Sequence, residues 1–202
     1  MQRRTFLSTS AAAAVTAATT AASLGLSQSA CAQAVPTAAA ANTPPPPAFV
    51  AESVTGALFG GSARMRFLGF DIYDAALWVA PGFQANKYGQ SPLILDLRYL
   101  RGLYGSAIAK RSISEMRRAG SFNAEQEQRW LTAMEASFPD VKEGDRITGV
   151  HNPVSGARFW FNGLARAPIN DPEFSRLFFG IWLSPATSEP KLRTALLANL
   201  PQ

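Results

Sequence analysis

The chain has 202 residues, 47% of them hydrophobic and 16% charged, with 14 prolines, one cysteine and one histidine. A formal net charge of +5 is too mild to argue for a nucleic-acid partner. There is no glycine-rich phosphate loop, no Cys/His spacing of the zinc type and no internal repeat, so neither a metal nor a cofactor is expected.

Residues 1–34 open with Arg3-Arg4, continue through a weakly apolar run of alanine and threonine, and end in Ala32-Gln33-Ala34. That order reads as an export signal cleaved after Ala34. The pair Arg3-Arg4 followed by Thr5, Phe6 and Leu7 resembles the twin-arginine type, which predicts a periplasmic protein. Lipid attachment at Cys31 is the competing reading, and Gln28 stands where such a site normally has leucine. The net charge of +5 falls to +3 once the two leader arginines are gone, because no acid leaves with them. Cleavage also removes the only cysteine, so the mature chain has no disulfide and no thiol chemistry. Residues 35–48, VPTAAAANTPPPPA, read as an extended linker. One domain is predicted over 49–202. It contains no long apolar run, so no stable membrane anchor is expected.

Within the domain, FLGFDIYDAALW over 67–78 predicts a strand apolar on both faces, with Leu68, Phe70 and Ile72 on one side and Phe67, Gly69, Asp71, Tyr73 and Ala75 on the other. Such a strand needs cover on both sides. Two arginines, Arg64 and Arg66, stand just before it. LILDLRY over 93–99 alternates as a second strand with Leu93, Leu95, Leu97 and Tyr99 on one face. Ser106 is a candidate cap for a helix over 107–119 with an Ala109, Ile113, Met116 stripe and Gly120 as its stop. The opposite side of that helix carries Lys110, Arg111, Arg117 and Arg118.

Asn123 and Gln126 form a capping-box pattern for a helix in which Trp130, Met134 and Phe138 point one way, ending before Pro139. From Asp145 to Arg166 the pattern is strand, turn, strand, turn, strand, with Asn162-Gly163 as a tight-turn signal. Asp171-Pro172-Glu173 opens a third helix, whose Phe174, Leu177, Phe178, Ile181 and Trp182 recur at helical spacing. A last helix starts near Ser188 and includes Leu192, Leu196 and Leu197. This order predicts an α+β domain with antiparallel pairing and helices layered on the sheet.

The blocks GGSARMRFLGFDIYDAALWV, SISEMRRAG, FPDVKEGDRITG, ARFWFNG and DPEFSRLFFGIWLSPATSEPKLRTALL, in that order, resemble the exported bacterial branch of the chalcone isomerase-like family. The resemblance covers about Val54 to Leu197. It implies an open-faced β-sandwich: a large antiparallel sheet covered by helices, with a cleft between them. Plant members of the family close a flavanone ring with an arginine, a tyrosine, an asparagine and threonines around an ordered water. Non-catalytic members hold a fatty-acid carboxylate with the matching arginine and tyrosine.

Carried over by local motif, the arginine falls on Arg64, with Arg66 the alternative, and the tyrosine on Tyr104. Arg111 occupies the asparagine position, Leu68 that of the first-strand threonine, and Gly180 or a neighbour that of the helix threonine. Leucine and glycine supply no hydroxyl for a developing enolate, whereas two arginines suit an anion. The resemblance with these departures implies a non-catalytic protein that binds a small amphipathic anion, such as a fatty acid, at Arg64, Tyr104 and Arg111. The alternative is an isomerase, an intramolecular lyase acting on a chalcone-like unsaturated ketone. Left open is a structural role in which Arg64 and Arg66 pair with Asp71 or Asp74. His151, just ahead of Asn152-Pro153, is expected to be an exposed hairpin residue rather than a haem ligand.

Overall fold

A computed structural model of the chain describes residues 44–201; the leader and the first part of the linker lie outside them. Among the described residues six strands form one sheet in the order β1 to β6, antiparallel throughout: β1 Leu58–Phe67, β2 Phe70–Val79, β3 Leu93–Tyr99, β4 Arg146–Asn152, β5 Gly156–Phe161 and β6 Leu164–Ala165. Helices α1 Gly105–Ala119 and α2 Ala124–Ser137 lie in the chain between β3 and β4. Helices α3 Pro172–Leu183 and α4 Pro190–Leu196 follow β6. Among the described residues no helix is long and apolar enough to cross a membrane.

The expected capping chemistry is present. Asn123 and Gln126 exchange hydrogen bonds with each other's backbone N–H at 2.8 and 3.0 Å. Asp171 accepts from the N–H groups of Glu173 and Phe174, both at 3.0 Å, and its other oxygen accepts from Trp130 Nε1 at 2.8 Å. One carboxylate thus starts α3 and ties it to α2. The start of α1 differs from expectation: Tyr104 is the N-cap without a side-chain bond, and the Gly105 N–H is satisfied instead by Asp140 at 2.9 Å.

The sheet has two unlike faces. Ala75, Leu77, Leu93, Leu95, Leu97, Tyr99, Ile147 and Phe159 pack with Met116, Trp130, Phe174, Phe178 and Leu196 into one large core. On the far face a smaller cluster, Trp78, Ile94, Val150 and Trp160, is covered by Val50 of the 3-10 segment Ala48–Ser53 and by Val54 just after it. Trp78 Nε1 donates to the Pro44 carbonyl at 2.8 Å, so the first proline of the run lies against the sheet.

The segment 58–79 corrects the reading of one strand beginning at residue 67. It is a hairpin whose turn is Leu68-Gly69, both with positive φ, 49° and 82°. The residues ARMR end β1 rather than lead into a strand. At the other end of β1, Asn199 N–H donates to the Gly60 carbonyl at 2.9 Å. A Cβ on Gly61 would stand 2.1 Å from the Ala195 carbonyl, so only glycine lets the end of α4 approach this close.

Candidate functional site

Between the inner face of the sheet and the helices lies a cavity of about 330 Å³. β1 and β2 contribute Met65, Phe67, Ile72 and Tyr73; β3 adds Leu97 and Tyr99; α1 adds Ile108, Arg111, Ser112 and Glu115; α3 adds Phe178, Ile181 and Trp182. A β-bulge sets the strand contribution. Met65 pairs with Tyr73 and Arg66 with Asp71, which leaves Ile72 as the extra residue. Ile72 and Tyr73 consequently both line the cavity, while Asp71 turns to the far face, where it meets Arg64 and Arg66.

Few polar groups face this apolar space. Trp182 Nε1 donates to Tyr73 Oη at 3.0 Å, and Tyr73 stands edge-on to Tyr99 with ring centres 6.0 Å apart. Burial pushes both phenols well above the ordinary tyrosine range, so they remain protonated donors. Among the described residues the Tyr99 hydroxyl makes no hydrogen bond, whereas Ser112 Oγ is committed to the Ile108 carbonyl at 2.9 Å. Among the described residues Arg111 is the one cation in the lining. It pairs with Glu115 at 2.7 Å and lies 5.7 Å from the centre of the Phe67 ring. Among the described residues one Glu115 oxygen is buried without a hydrogen-bond partner, and Glu189 supplies a second acid.

The three site residues named from the sequence are not brought together. Arg111 lines the cavity. Tyr104 is 72% exposed at the start of α1 and borders a separate shallow depression with Gly102, Leu103 and Asp140. Arg64 projects from the far face of the sheet. Its guanidinium meets Asp74 at 2.7 Å and Asp71 at 2.9 Å, Arg66 shares Asp71, and Arg98 shares Asp74. Strand alternation is the cause: Met65 points into the cavity, so its neighbour Arg64 points away. The structural alternative for ARMR is therefore the arrangement found, a ladder of exposed ion pairs that holds both carboxyls below their usual range.

Other carried-over positions have similar physical reasons for their departures. Leu68 sits at the hairpin tip, 81% exposed, outside the cavity. Gly180 is a packing contact, since a Cβ there would stand 2.5 Å from Tyr88 Oη and 2.8 Å from the Ala119 Cβ; a threonine does not fit. His151 is fully buried, which corrects the exposed placement. It pairs with Leu93 and Ala157, faces α3 and contacts Ser175 at 2.6 Å.

Sequence reasoning missed Tyr73, Tyr99 and Glu115 as cavity residues. The signal for Tyr99 was its place on the same face as Leu93, Leu95 and Leu97. Trp182 was legible as a core-facing residue of α3. Glu115 had a weaker sign, standing at i+4 from Arg111 on the same helix.

Known proteins agree with this architecture. The sequence profile described as "Chalcone isomerase-like" matches residues 44–198. An uncharacterized protein of Haemophilus influenzae is 30% identical over 140 residues, covering 69% of this chain and 67% of its own. The crystal structure of a fatty-acid binding protein of Arabidopsis thaliana superposes with a TM-score of 0.55 at 12% identity, over 72% of this chain and 88% of that one. At that identity the likeness shows the fold: an α+β domain whose open antiparallel sheet is covered by helices. By the extent of the profile match, the chain belongs to the chalcone isomerase-like family.

Proposed function

We propose that the domain is a non-catalytic carrier or sensor of a small amphipathic acid of the fatty-acid class, acting in the periplasm. The observation that carries this reading is the apolar cavity between sheet and helices with Arg111 as the single cation in its wall among the described residues. Its volume of about 330 Å³ falls at the lower end of the ~300–1,000 Å³ range of small-molecule sites. An apolar tail fits among Leu97, Ile108, Phe178 and Ile181. A carboxylate fits at Arg111, because a guanidinium has five N–H donors and Glu115 engages one end of it. The Tyr99 hydroxyl is the second available donor. The likeness to a fatty-acid binding protein supports the ligand class, and the leader with Arg3-Arg4 supports the compartment.

The test is native mass spectrometry of protein purified without added ligand, followed by calorimetric titration of fatty acids of several chain lengths. The expected result is a retained or added mass of a few hundred daltons bound one to one. Absence of both retained mass and measurable heat would overturn the reading. For the compartment, Arg3→Lys with Arg4→Lys is expected to keep the protein in the cytoplasm, and unchanged export would remove the twin-arginine reading.

A further inference from the structure

The β1–β2 hairpin ends in an apolar tip. Phe67 is 47% exposed, Leu68 81% and Phe70 60%, three consecutive large side chains around a single glycine. This is unusual chemistry for a tight turn in water. Leu68 has φ 49° and Gly69 φ 82°, the two-residue geometry for which Asn-Gly or Asp-Gly is favoured. A leucine at positive φ costs conformational free energy, and here it recovers nothing by burial. The tip is both conformationally and solvationally unfavourable for an isolated molecule, which points to a partner that covers it.

The surroundings indicate which partner. The Arg101 guanidinium lies 4.8 Å from the centre of the Phe70 ring, and among the described residues Arg101 has no carboxylate partner. The Arg111 guanidinium lies 5.7 Å from the Phe67 ring, and Arg66 flanks the tip with a 68% exposed side chain. Near the tip Asp71 is shared between Arg64 and Arg66, so that cluster is net positive. The loop carrying Arg101 is fixed to the hairpin by a bond from the Leu100 N–H to the Ile72 carbonyl at 2.9 Å. Cations and apolar side chains therefore keep one orientation.

Three side chains at these exposures present on the order of 300–400 Å² of apolar surface, taking ~200 Å² for each ring. That is about half of the ~800 Å² that each partner contributes to a stable protein interface, and it suits a wedge that enters the headgroup boundary of a bilayer, with arginines at the phosphates.

We propose that the tip Phe67-Leu68-Gly69-Phe70, with Arg66 and Arg101 beside it, docks the protein on an anionic lipid bilayer. Phe67 belongs to both the tip and the cavity wall, so docking brings the Arg111 end of the cavity to the lipid surface, where an amphipathic molecule can exchange without crossing water. Docking itself does not require the ligand proposed above, and its test contains none.

The test is co-sedimentation of the full chain with vesicles of phosphatidylcholine alone and of phosphatidylcholine with about one third phosphatidylglycerol. Parent protein is expected to sediment with the anionic vesicles, more weakly at high salt, and little with the neutral ones. The double variant Leu68→Asp, Phe70→Asp is expected to lose at least about tenfold in partitioning, with an unchanged circular-dichroism spectrum, because both side chains are exposed and aspartate tolerates the positive φ of position 68. Arg101→Glu is expected to weaken anionic binding without affecting the fold. Equal sedimentation of parent and double variant, or none by the parent, would overturn the proposal. A parent dimer in solution that Leu68→Asp abolishes would overturn it too, by assigning the tip to a second copy of the chain.

Discussion

Trp182 and Tyr73 meet across the cavity, the indole N–H of α3 donating to the phenol oxygen of β2 at 3.0 Å. The bond joins residues 109 positions apart and ties the helical layer to the sheet beside the apolar space. Trp182 is only 6% exposed, so loss of its acceptor leaves a buried donor unsatisfied. Tyr73→Phe is expected to destabilise the fold by about 1–3 kcal/mol, measured by chemical denaturation. A fatty-acid carboxylate that reaches the freed indole should restore part of the loss. An unchanged midpoint would mean that the bond contributes nothing net.

Arg111 and Arg64 make the ligand reading separable from the family carry-over. Arg111→Ala is expected to weaken fatty-acid binding by about 1.5 kcal/mol, roughly tenfold, the lower end for a charged hydrogen bond because the guanidinium is more than half exposed. Arg64→Ala is expected to leave affinity unchanged, since its guanidinium lies across the sheet on Asp71 and Asp74. Calorimetric titration of both variants decides. A loss of affinity confined to Arg64→Ala would return the head group to the far face and remove the cavity from the account.

Much of the fold was legible because its signals are local. The Asn123-Gln126 box, the Asp171-Pro172 start and the Asn162-Gly163 turn each depend on residues within a few positions of one another, and each is present. The first hairpin was hidden because its turn uses Leu68-Gly69, a pair that carries no ordinary turn signal at its first position. The bulge at Ile72 was equally invisible: it depends on register against β1, which no spacing within β2 reveals. Arg64 was placed by motif alone, and alternation with the inward-pointing Met65 puts it on the opposite face. The Arg111–Glu115 pair was readable as an i, i+4 ion pair, but its position beneath Phe67 depends on how α1 crosses the sheet.

The hairpin tip gives a prediction of opposite sign from most substitutions. Leu68→Asn places a residue that tolerates positive φ where leucine does not and removes an 81% exposed apolar side chain. It is expected to stabilise the domain by about 1 kcal/mol, seen as a higher melting temperature, while vesicle binding falls. Destabilisation would show that the Leu68 side chain has a packing role in the folded domain.

His151 provides a pH prediction whose sign follows from its surroundings. The Gly89 carbonyl, 3.1 Å from Nε2, can only accept, so Nε2 carries the proton. Nδ1 then accepts from the Ser175 hydroxyl at 2.6 Å. Burial lowers the His151 pKa, against a smaller opposite effect of the bond to Gly89, and the folded state therefore favours the neutral ring. The unfolded chain binds a proton near pH 6.5 while the native one does not, so the stabilisation is fully present above that pH and is lost as pH falls through the lower native value. As this is the only histidine, a fall in melting temperature between about pH 7 and about pH 5 is assigned to it. The carboxyls of Asp71 and Asp74, held low by their arginines, contribute only below the ordinary carboxylate range. His151→Gln, which has no proton to gain, is expected to be less stable at neutral pH and to show a flatter profile across the same interval. A parent profile as flat as that of the variant would show that the buried ring accepts its second proton without cost, with Ser175 reorienting to take it.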